Sequence, residues 1–209
     1  MIFKNFVLGP VDCNCYIIAD ENTKEGFIVD IGGRGDFVFS YVEKIGIIVK
    51  YIFCTHGHFD HVAGILAFKK KLNVPVCLNK KDLSIYENVN EQTRMFGFED
   101  VEQPPAPPEI FFSEGDEFIV GNIKCKIIET PGHTKGGVSI YLPEHKILFS
   151  GDTLFESSIG RTDLPGSSHT EIITSVKDKL FVLPDDVSVF PGHGRPTKIG
   201  DEKIYNPYF

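Results

Sequence analysis

The stretch THGHFDH, residues 55–61, places three histidines and an aspartate in a short segment, although the whole 209-residue chain has only seven histidines. The segment comes directly after an apolar run, YIFC. Imidazole and carboxylate groups are good ligands for zinc, manganese and iron. Burying so many titratable groups side by side without a cation would be costly. The spacing therefore predicts a metal-binding segment.

Three further apolar runs end in a turn that carries a histidine or an aspartate beside glycine, namely KIIETPGHT, KILFSGDT and VSVFPGHG. Strands hold their ends rigidly and turns expose the side chains that follow, as a metal site requires. The candidate ligands are His56, His58, Asp60, His61, His133, Asp152 and His193. Such a set is too large for one tetrahedral zinc ion, but it suits two ions that share one carboxylate.

The order of residues within THGHFDH suggests how the two ions are divided. In extended backbone, His56 and His58 point to the same side and would bind one ion. Asp60 and His61 open the next predicted helix, point elsewhere and would serve a second ion. His145 and His169 stand outside these motifs, in a predicted turn and near a predicted helix start. We interpret both as surface residues without a role in the site.

Strands and helices in alternation must position these turns. CYIIAD and GFIVDIG predict paired strands, DFVFSYVEKIG predicts a helix that ends at glycine, and DHVAGILAFKKKLN predicts another helix. The segment EQPPAPPE, residues 102–109, has four prolines, which exclude a helix or a central strand. We therefore predict one domain, residues 1–209, with two similar halves, about 1–102 and 110–209, that form two packed sheets with helices outside.

Composition narrows the range of partners and compartments. The formal net charge is −8 and the longest basic run is KKK, so no positive stripe is present for nucleic acid. The five cysteines form no C-x-x-C pair, and no apolar run approaches the length of a membrane span. The N-terminus has no basic-then-apolar leader. We expect a cytoplasmic protein that acts on a small molecule, with neither nucleic acid nor membrane as partner.

Taken together, H-x-H-x-D-H, TPGHT, FSGDTLF and PGHG, in that order, resemble the metallo-β-lactamase superfamily. The resemblance implies an α/β fold, the αββα sandwich, in which two mixed sheets pack face to face and a dinuclear site lies at their edge. It implies two divalent ions per chain, zinc in the first place and iron or manganese as alternatives. One ion would be bound by His56, His58 and His133, the other by Asp60, His61 and His193. Asp152 would bridge them.

SGDTLFESSIGRTDLPG and the terminal YNPYF resemble the short, single-domain glyoxalase II-like, or hydroxyacylglutathione hydrolase-like, enzymes. The function implied is hydrolysis of a 2-hydroxyacyl thioester such as S-lactoylglutathione by a metal-bound hydroxide, which Asp60 would orient. Arg161 matches a family lysine that contacts the glutathione part; it would bind a substrate carboxylate or form an ion pair with Asp163. The longer family members have a C-terminal helical domain with glutathione-binding basic residues, and we expect that contribution to be missing.

Other functions of the same fold stay open at this stage. A mononuclear iron persulfide dioxygenase would hold its iron through His56, His133 and Asp152. A different hydrolase of the same fold would act on lactones or β-lactams. A non-catalytic metal-binding protein is disfavoured by the complete set of donors. Asp30, at the end of the strand FIVD, is expected to support the site rather than to take part in the reaction.

Overall fold

A computed structural model describes residues 1–98 and 106–209 of the chain. Residues 102–105 of the predicted proline-rich connection therefore lie outside the described residues. In the described ranges the strands form two six-stranded sheets and one short hairpin. The strands and helices are numbered below in chain order.

The first sheet uses its strands in sequence order. They are β1 (Ile2–Leu8), β2 (Cys13–Ala19), β3 (Glu25–Val29), β4 (Ile48–Phe53), β5 (Val76–Asn79) and β6 (Ile110–Phe112). The first three are antiparallel, and β3 to β6 run parallel. Every residue of β2 is buried, because Ile17 faces a helical layer while Tyr16 and Ile18 face the second sheet. A strand that is covered on both faces explains the continuous apolar run CYIIA.

The second sheet has the order β14-β13-β10-β9-β8-β7. Its strands are β7 (Glu117–Val120), β8 (Ile123–Glu129), β9 (Val138–Leu142), β10 (Ile147–Gly151), β13 (Ser188–Pro191) and β14 (Thr197–Lys198), and the hairpin is formed by β11 (Leu154–Phe155) and β12 (Ser158–Ile159). Strands β10 and β13 are parallel, whereas the pairs β7–β8, β8–β9 and β9–β10 are antiparallel. Phe27 and Phe53 of the first sheet share one apolar cluster with Phe149 and Ile140 of the second.

Helices cover the two outer faces. The first layer comprises α1 (Asp36–Ile45), α2 (Phe59–Val62), α3 (Ile65–Lys69), a 3₁₀ turn (Lys80–Asp82), α4 (Leu83–Glu87) and α5 (Val89–Met95), and the second comprises α6 (His169–Ser175), a π turn (Val176–Leu180) and α7 (Ile199–Tyr205). Each layer has its own apolar cluster against its sheet. The predicted αββα sandwich is confirmed. Within the described residues, no helix combines the length and the apolar character that crossing a bilayer requires.

The helix predicted over DHVAGILAFKKKLN is interrupted in the structure, since α2 ends at Val62 and α3 begins at Ile65. The reason is a backbone exchange with the loop after β3. The Ile31 N–H donates to the His61 carbonyl at 2.8 Å, and the Gly64 N–H donates to the Ile31 carbonyl at 2.8 Å. These bonds replace the helical ones and attach the segment that carries His61 to the first sheet.

Strand β6 differs from the predicted division into halves, which placed residue 110 and those after it in the second half. In the structure β6 pairs in parallel with β5, with Cys77 opposite Ile110 and Asn79 opposite Phe112. A parallel partner requires a long crossover, which residues 80–109 supply. The chain therefore changes sheets after Phe112 and not at the proline-rich segment.

Phe149 lies at the centre of an aromatic group between the sheets, so Phe149→Ala should lower the free energy of unfolding by about 3–5 kcal/mol. Its side chain is fully buried, and its ring centroid lies 5.0 Å from that of Tyr16 and 5.9 Å from that of Phe190. Urea denaturation gives the measurement. Ile119→Ala is the control, because Ile119 is 73% exposed and should change stability by no more than about 0.5 kcal/mol. Equal effects of the two substitutions would contradict the assigned core.

Candidate metal centre

The predicted ligands lie at one edge of the two sheets because the strands before them end there. Strand β10 is parallel to β13. Strand β9 is antiparallel to both β8 and β10, so β8 runs in the same direction as β10. The carboxyl ends of β8, β10 and β13 therefore lie at the same edge. The first sheet joins this edge where the Val138 N–H donates to the Thr55 carbonyl at 2.9 Å, just beyond β4. The seven donors lie within a few residues after these strand ends or on α2: His56, His58, Asp60, His61, His133, Asp152 and His193.

Three of the histidines converge on one point. Nδ1 of His58 lies 2.9 Å from Nε2 of His133, and one nitrogen from each of His56, His58 and His133 lies within 4.8 Å of the other two. The ring of His56 is nearly perpendicular to those of His58 and His133, at 88° and 85°. Three lone pairs that meet from such directions can occupy three corners of a tetrahedron around a cation.

The second group contains Asp60, His61 and His193. Nε2 of His193 lies 3.1 Å from Oδ2 of Asp60 and 3.2 Å from Nε2 of His61. Asp152 lies between the two groups, since its Oδ1 is 3.4 Å from His61 Nε2 and its Oδ2 is 3.6 Å from His133 Nε2. The structure therefore brings together all seven residues that the sequence predicted, with Asp152 in the position of a shared ligand.

The donor chemistry fits divalent cations. Nε2 of His56 and Oδ1 of Asp152 are buried and make no hydrogen bond among the described residues, an arrangement that is rare for polar atoms unless an ion or a water is bound. Burial lowers the pKa of His56 well below its ordinary value, and burial together with His133 lowers that of His58 to about 3. These two imidazoles are therefore neutral at pH 7 and present the lone pairs that a metal ion needs.

Neighbouring charged groups control protonation in the second group. Burial by itself lowers the pKa of His61, but Cys13 and the nearby carboxylates together outweigh it and raise this pKa well above the ordinary value. Although burial also opposes its ionisation, Asp60 has a pKa below its usual range because of His61 and His193. Asp60 is thus ionised at neutral pH. A cation entering this group would displace a proton from His61.

Hydrogen bonds at the far nitrogen orient the rings of His56, His61 and His133. Nδ1 of His61 lies 2.9 Å from Oδ2 of Asp30, and Nδ1 of His133 lies 2.9 Å from the Arg161 carbonyl. Nδ1 of His56 lies 3.1 Å from Oγ1 of Thr55. Because the carbonyl and carboxylate partners are acceptors, they hold the proton at Nδ1 and leave the Nε2 lone pair toward the site.

Asp30 has the supporting position that the sequence indicated. Its carboxylate also accepts from the Thr55 N–H and Oγ1–H, both at 2.8 Å. Asp30 itself has a positive φ of 57°, a conformation uncommon for residues other than glycine. Cys13 is a neighbour that the sequence did not reveal, with Sγ 3.6 Å from His61 Nδ1. Burial raises the pKa of its thiol to about 12, and it contacts the nitrogen that faces away from the donors, so it is not counted as a ligand.

An open cavity of about 430 Å³ gives access to the donors. Half of the residues that line the cavity are apolar, a feature that sequence analysis missed because they are scattered along the chain: Val11, Phe59, Phe96, Phe98, Phe155 and Leu164. Arg161 also lines the cavity and forms a two-pronged ion pair with Asp163, at 2.7 and 2.9 Å. His145 and His169 are exposed and do not line this cavity.

The model of the metallo-beta-lactamase superfamily matches residues 8–193. The chain belongs to this superfamily. Hydroxyacylglutathione hydrolase GloC of Haemophilus influenzae is similar, with 35% identity over 196 residues that cover 93% of this chain and 92% of GloC. Among solved structures, the B3 metallo-beta-lactamase BLEG-1 has a TM-score of 0.91 at 33% identity, with 99% of each chain covered.

A second solved structure, TTHA1623 in a di-iron-bound form, has a TM-score of 0.90 at 33% identity and covers 99% of this chain and 100% of its own. The superfamily fold implies a dinuclear metal site, and the two donor groups around Asp152 are suited to one. Among the described residues, the donor set of both groups is complete.

Asp152→Ala removes the carboxylate between the two groups, so we expect metal affinity to fall at least about tenfold and at least one ion per chain to be lost on dialysis. Metal content measured by mass spectrometry on the purified protein checks this. His145→Ala is the control, since His145 is exposed on a 3₁₀ turn and should leave metal content unchanged. A comparable loss in the control would mean that the ligand set is misassigned.

Proposed function

We propose that the protein is a metal-dependent hydrolase that cleaves a 2-hydroxyacyl thioester, with S-lactoylglutathione as the first substrate to test. The observation that carries the proposal is that seven histidine and aspartate donors meet around Asp152, and that five of them, His58, Asp60, His133, Asp152 and His193, line one open cavity. The 35% identity to GloC over nearly the full chain favours a thioester over other acyl compounds. Zinc is the first choice of metal, and the di-iron form of TTHA1623 makes iron the main alternative.

His56, His58 and His133 would hold one ion, Asp60, His61 and His193 the other, and Asp152 both. Such a pair of ions, when bound, lowers the pKa of a water molecule toward neutrality and stabilises the charge that develops on the substrate carbonyl oxygen. Asp60 lines the cavity with an ionised carboxylate. It can accept a hydrogen bond from the attacking water and thereby orient it toward the carbonyl carbon.

The choice of leaving group rests on the acids that the cavity offers. Apart from the proposed ligands, Arg161 is the one titratable side chain among the described lining residues, and a guanidinium does not donate its proton at neutral pH. An amine or alkoxide leaving group would need a proton from a general acid. A thiolate, with a pKa of about 8.5, leaves without one. The lining therefore favours a thioester.

Arg161 is proposed to bind a carboxylate of the thiol carrier. Its pair with Asp163 is half exposed on both sides and such pairs contribute only about 0–1 kcal/mol, so a substrate carboxylate can replace Asp163. We also propose that the protein acts in the cytoplasm. Its five cysteines are free and buried, and unpaired cysteines are typical of the reducing cytoplasm.

The second candidate is β-lactam hydrolysis, which the similarity to BLEG-1 favours. The same donors would serve, because ring opening also begins with attack of water on a carbonyl group. The released group is then an amide nitrogen, for which the described cavity offers no acid besides the proposed ligands and Arg161. For this reason the thioester is placed first.

The deciding experiment measures metal content and thioester turnover on one sample purified from unsupplemented culture. We expect close to two ions per chain and release of free thiol from S-lactoylglutathione. Absence of hydrolysis of any thioester by fully metallated protein would refute the proposal. One iron per chain with oxygen uptake on glutathione persulfide would establish the dioxygenase, and opening of a β-lactam without thioester cleavage would establish the second candidate.

Arg161→Ala should raise KM for S-lactoylglutathione about tenfold and leave kcat nearly unchanged, because it removes binding that ground state and transition state share. Asp163→Ala should leave KM unchanged or lower it, since it frees the guanidinium. Lys124→Ala, which breaks the ion pair with Glu117 on the second sheet, is the matched control and should change neither constant. Steady-state kinetics on the three variants gives the answer, and an unchanged KM in Arg161→Ala would leave Arg161 a purely structural partner of Asp163.

A further inference from the structure

Asp82 is a fully buried carboxylate that lies outside the proposed ligand set and that the sequence did not single out. It closes the 3₁₀ turn Lys80–Asp82, which comes after β5. Its Oδ2 accepts from the Gly57 N–H at 3.0 Å and from the Thr134 hydroxyl at 2.7 Å. Its Oδ1 accepts from the Gly136 N–H at 2.6 Å. All three partners are donors, and therefore the ionised form satisfies every one of them.

The partners of Asp82 belong to two different loops that carry the first donor group. Gly57 stands between His56 and His58, in the loop after β4 of the first sheet. Thr134 follows His133 directly, in the loop after β8 of the second sheet. One carboxylate therefore joins the tips of the two loops that must meet for His56, His58 and His133 to face one ion.

The contact leaves no room for side chains at the two glycines. A Cβ on Gly136 would lie 2.7 Å from the backbone nitrogen of Asp82, and a Cβ on Gly57 would lie 2.9 Å from the Asp82 carbonyl oxygen. This close approach accounts for a glycine inside HGH and for the first glycine of TKGG. The loops are also joined farther back by the bond from the Val138 N–H to the Thr55 carbonyl, and the two sheets share an apolar cluster, so their packing has contacts that do not involve Asp82.

We propose that Asp82 is a positioning residue that sets the metal affinity of the His56, His58 and His133 group. It acts by fixing the distance between the two loops, and it contacts none of the three imidazoles within hydrogen-bond range in the described structure. The inference requires metal binding by the donor groups but is independent of the thioester reaction. It is therefore tested without any substrate.

The test uses Asp82→Asn, which keeps the shape of the side chain but turns an NH₂ group toward at least one N–H donor. Chelator competition on the full-length protein loaded with Zn²⁺ measures the affinity of each of the two ions. We expect one ion to bind about 10–100-fold more weakly, as for other residues that orient ligands, while the second keeps its affinity. In protein loaded with Co²⁺, the absorption bands of the weakened site should change as well.

Asp20→Asn is the matched control. Asp20 is also buried and also joins separate segments, since it accepts from the Asn22 N–H at 2.7 Å and from the Asn122 N–H at 2.8 Å. Cys13, at the start of β2, forms a backbone β-bridge with His193 and therefore lies at the site. Asp20 follows the other end of β2, about 20 Å away along the strand. This control should lower thermal stability and leave both metal affinities unchanged.

Two outcomes would overturn the proposal: Asp82→Asn that binds both ions with the affinity of the parent protein, or equal losses of metal affinity in Asp82→Asn and Asp20→Asn. If Asp82→Asn does not fold, Thr134→Val takes its place, because it removes one donor and leaves the carboxylate intact. We then expect a loss of a few fold at the same ion, and an unchanged affinity would again overturn the proposal.

Discussion

Metal-donor atoms of seven side chains lie close together at the common edge of the two sheets. Hydrogen bonds to the far ring nitrogens and to the backbone of these residues hold them in this arrangement. The nitrogens of His58 and His133 approach to 2.9 Å, and those of His61 and His193 to 3.2 Å. Two nitrogen lone pairs directed at one point repel each other unless a proton or a cation lies between them. The fold holds them there through rigid strand ends and through acceptors at the far side of three of the rings, which leave their lone pairs directed inward.

Two buried carboxylates hold the loop that follows β4 through separate hydrogen bonds. Asp30, at the end of β3, holds Thr55 and His61. Asp82 holds Gly57 and, through Thr134, the loop of the second sheet. A buried carboxylate without hydrogen-bond donors would be unfavourable. The donors therefore fix the position of each carboxylate, and the carboxylate in turn fixes the loops that carry the donors. Hydrogen bonds within the protein therefore fix the backbone that carries these donors.

The groups that line the cavity limit the chemistry that it can support. Apolar side chains and the guanidinium of Arg161 line it together with the proposed ligands, and no further acid is among its described lining residues. A reaction that begins with water and ends with a good leaving group suits this lining. Arg161 has two partners that matter: its carbonyl accepts from His133, while its guanidinium pairs with Asp163. One residue therefore connects the orientation of a proposed ligand with the rim where a substrate would enter.

Local patterns in the sequence were enough to predict the strands that precede the donors, the helix α1 and the residues that the structure brings together, because donors placed directly after buried strands must lie at a sheet edge. They were not enough for the break between α2 and α3, which depends on backbone bonds to Ile31. Nor did they reveal the pairing of β6 with β5, since the crossover between them spans the proline-rich segment.

The sequence by itself determined which chemical groups are available and which strand end carries each of them. Only the tertiary structure decided how those groups are held. Asp82 accepts hydrogen bonds from residues that are 25, 52 and 54 positions away in the chain. Its own segment, KKD, resembles an ordinary exposed helix start. The physical reason is that a hydrogen bond between distant loops depends on how two sheets pack, and no local spacing encodes that distance.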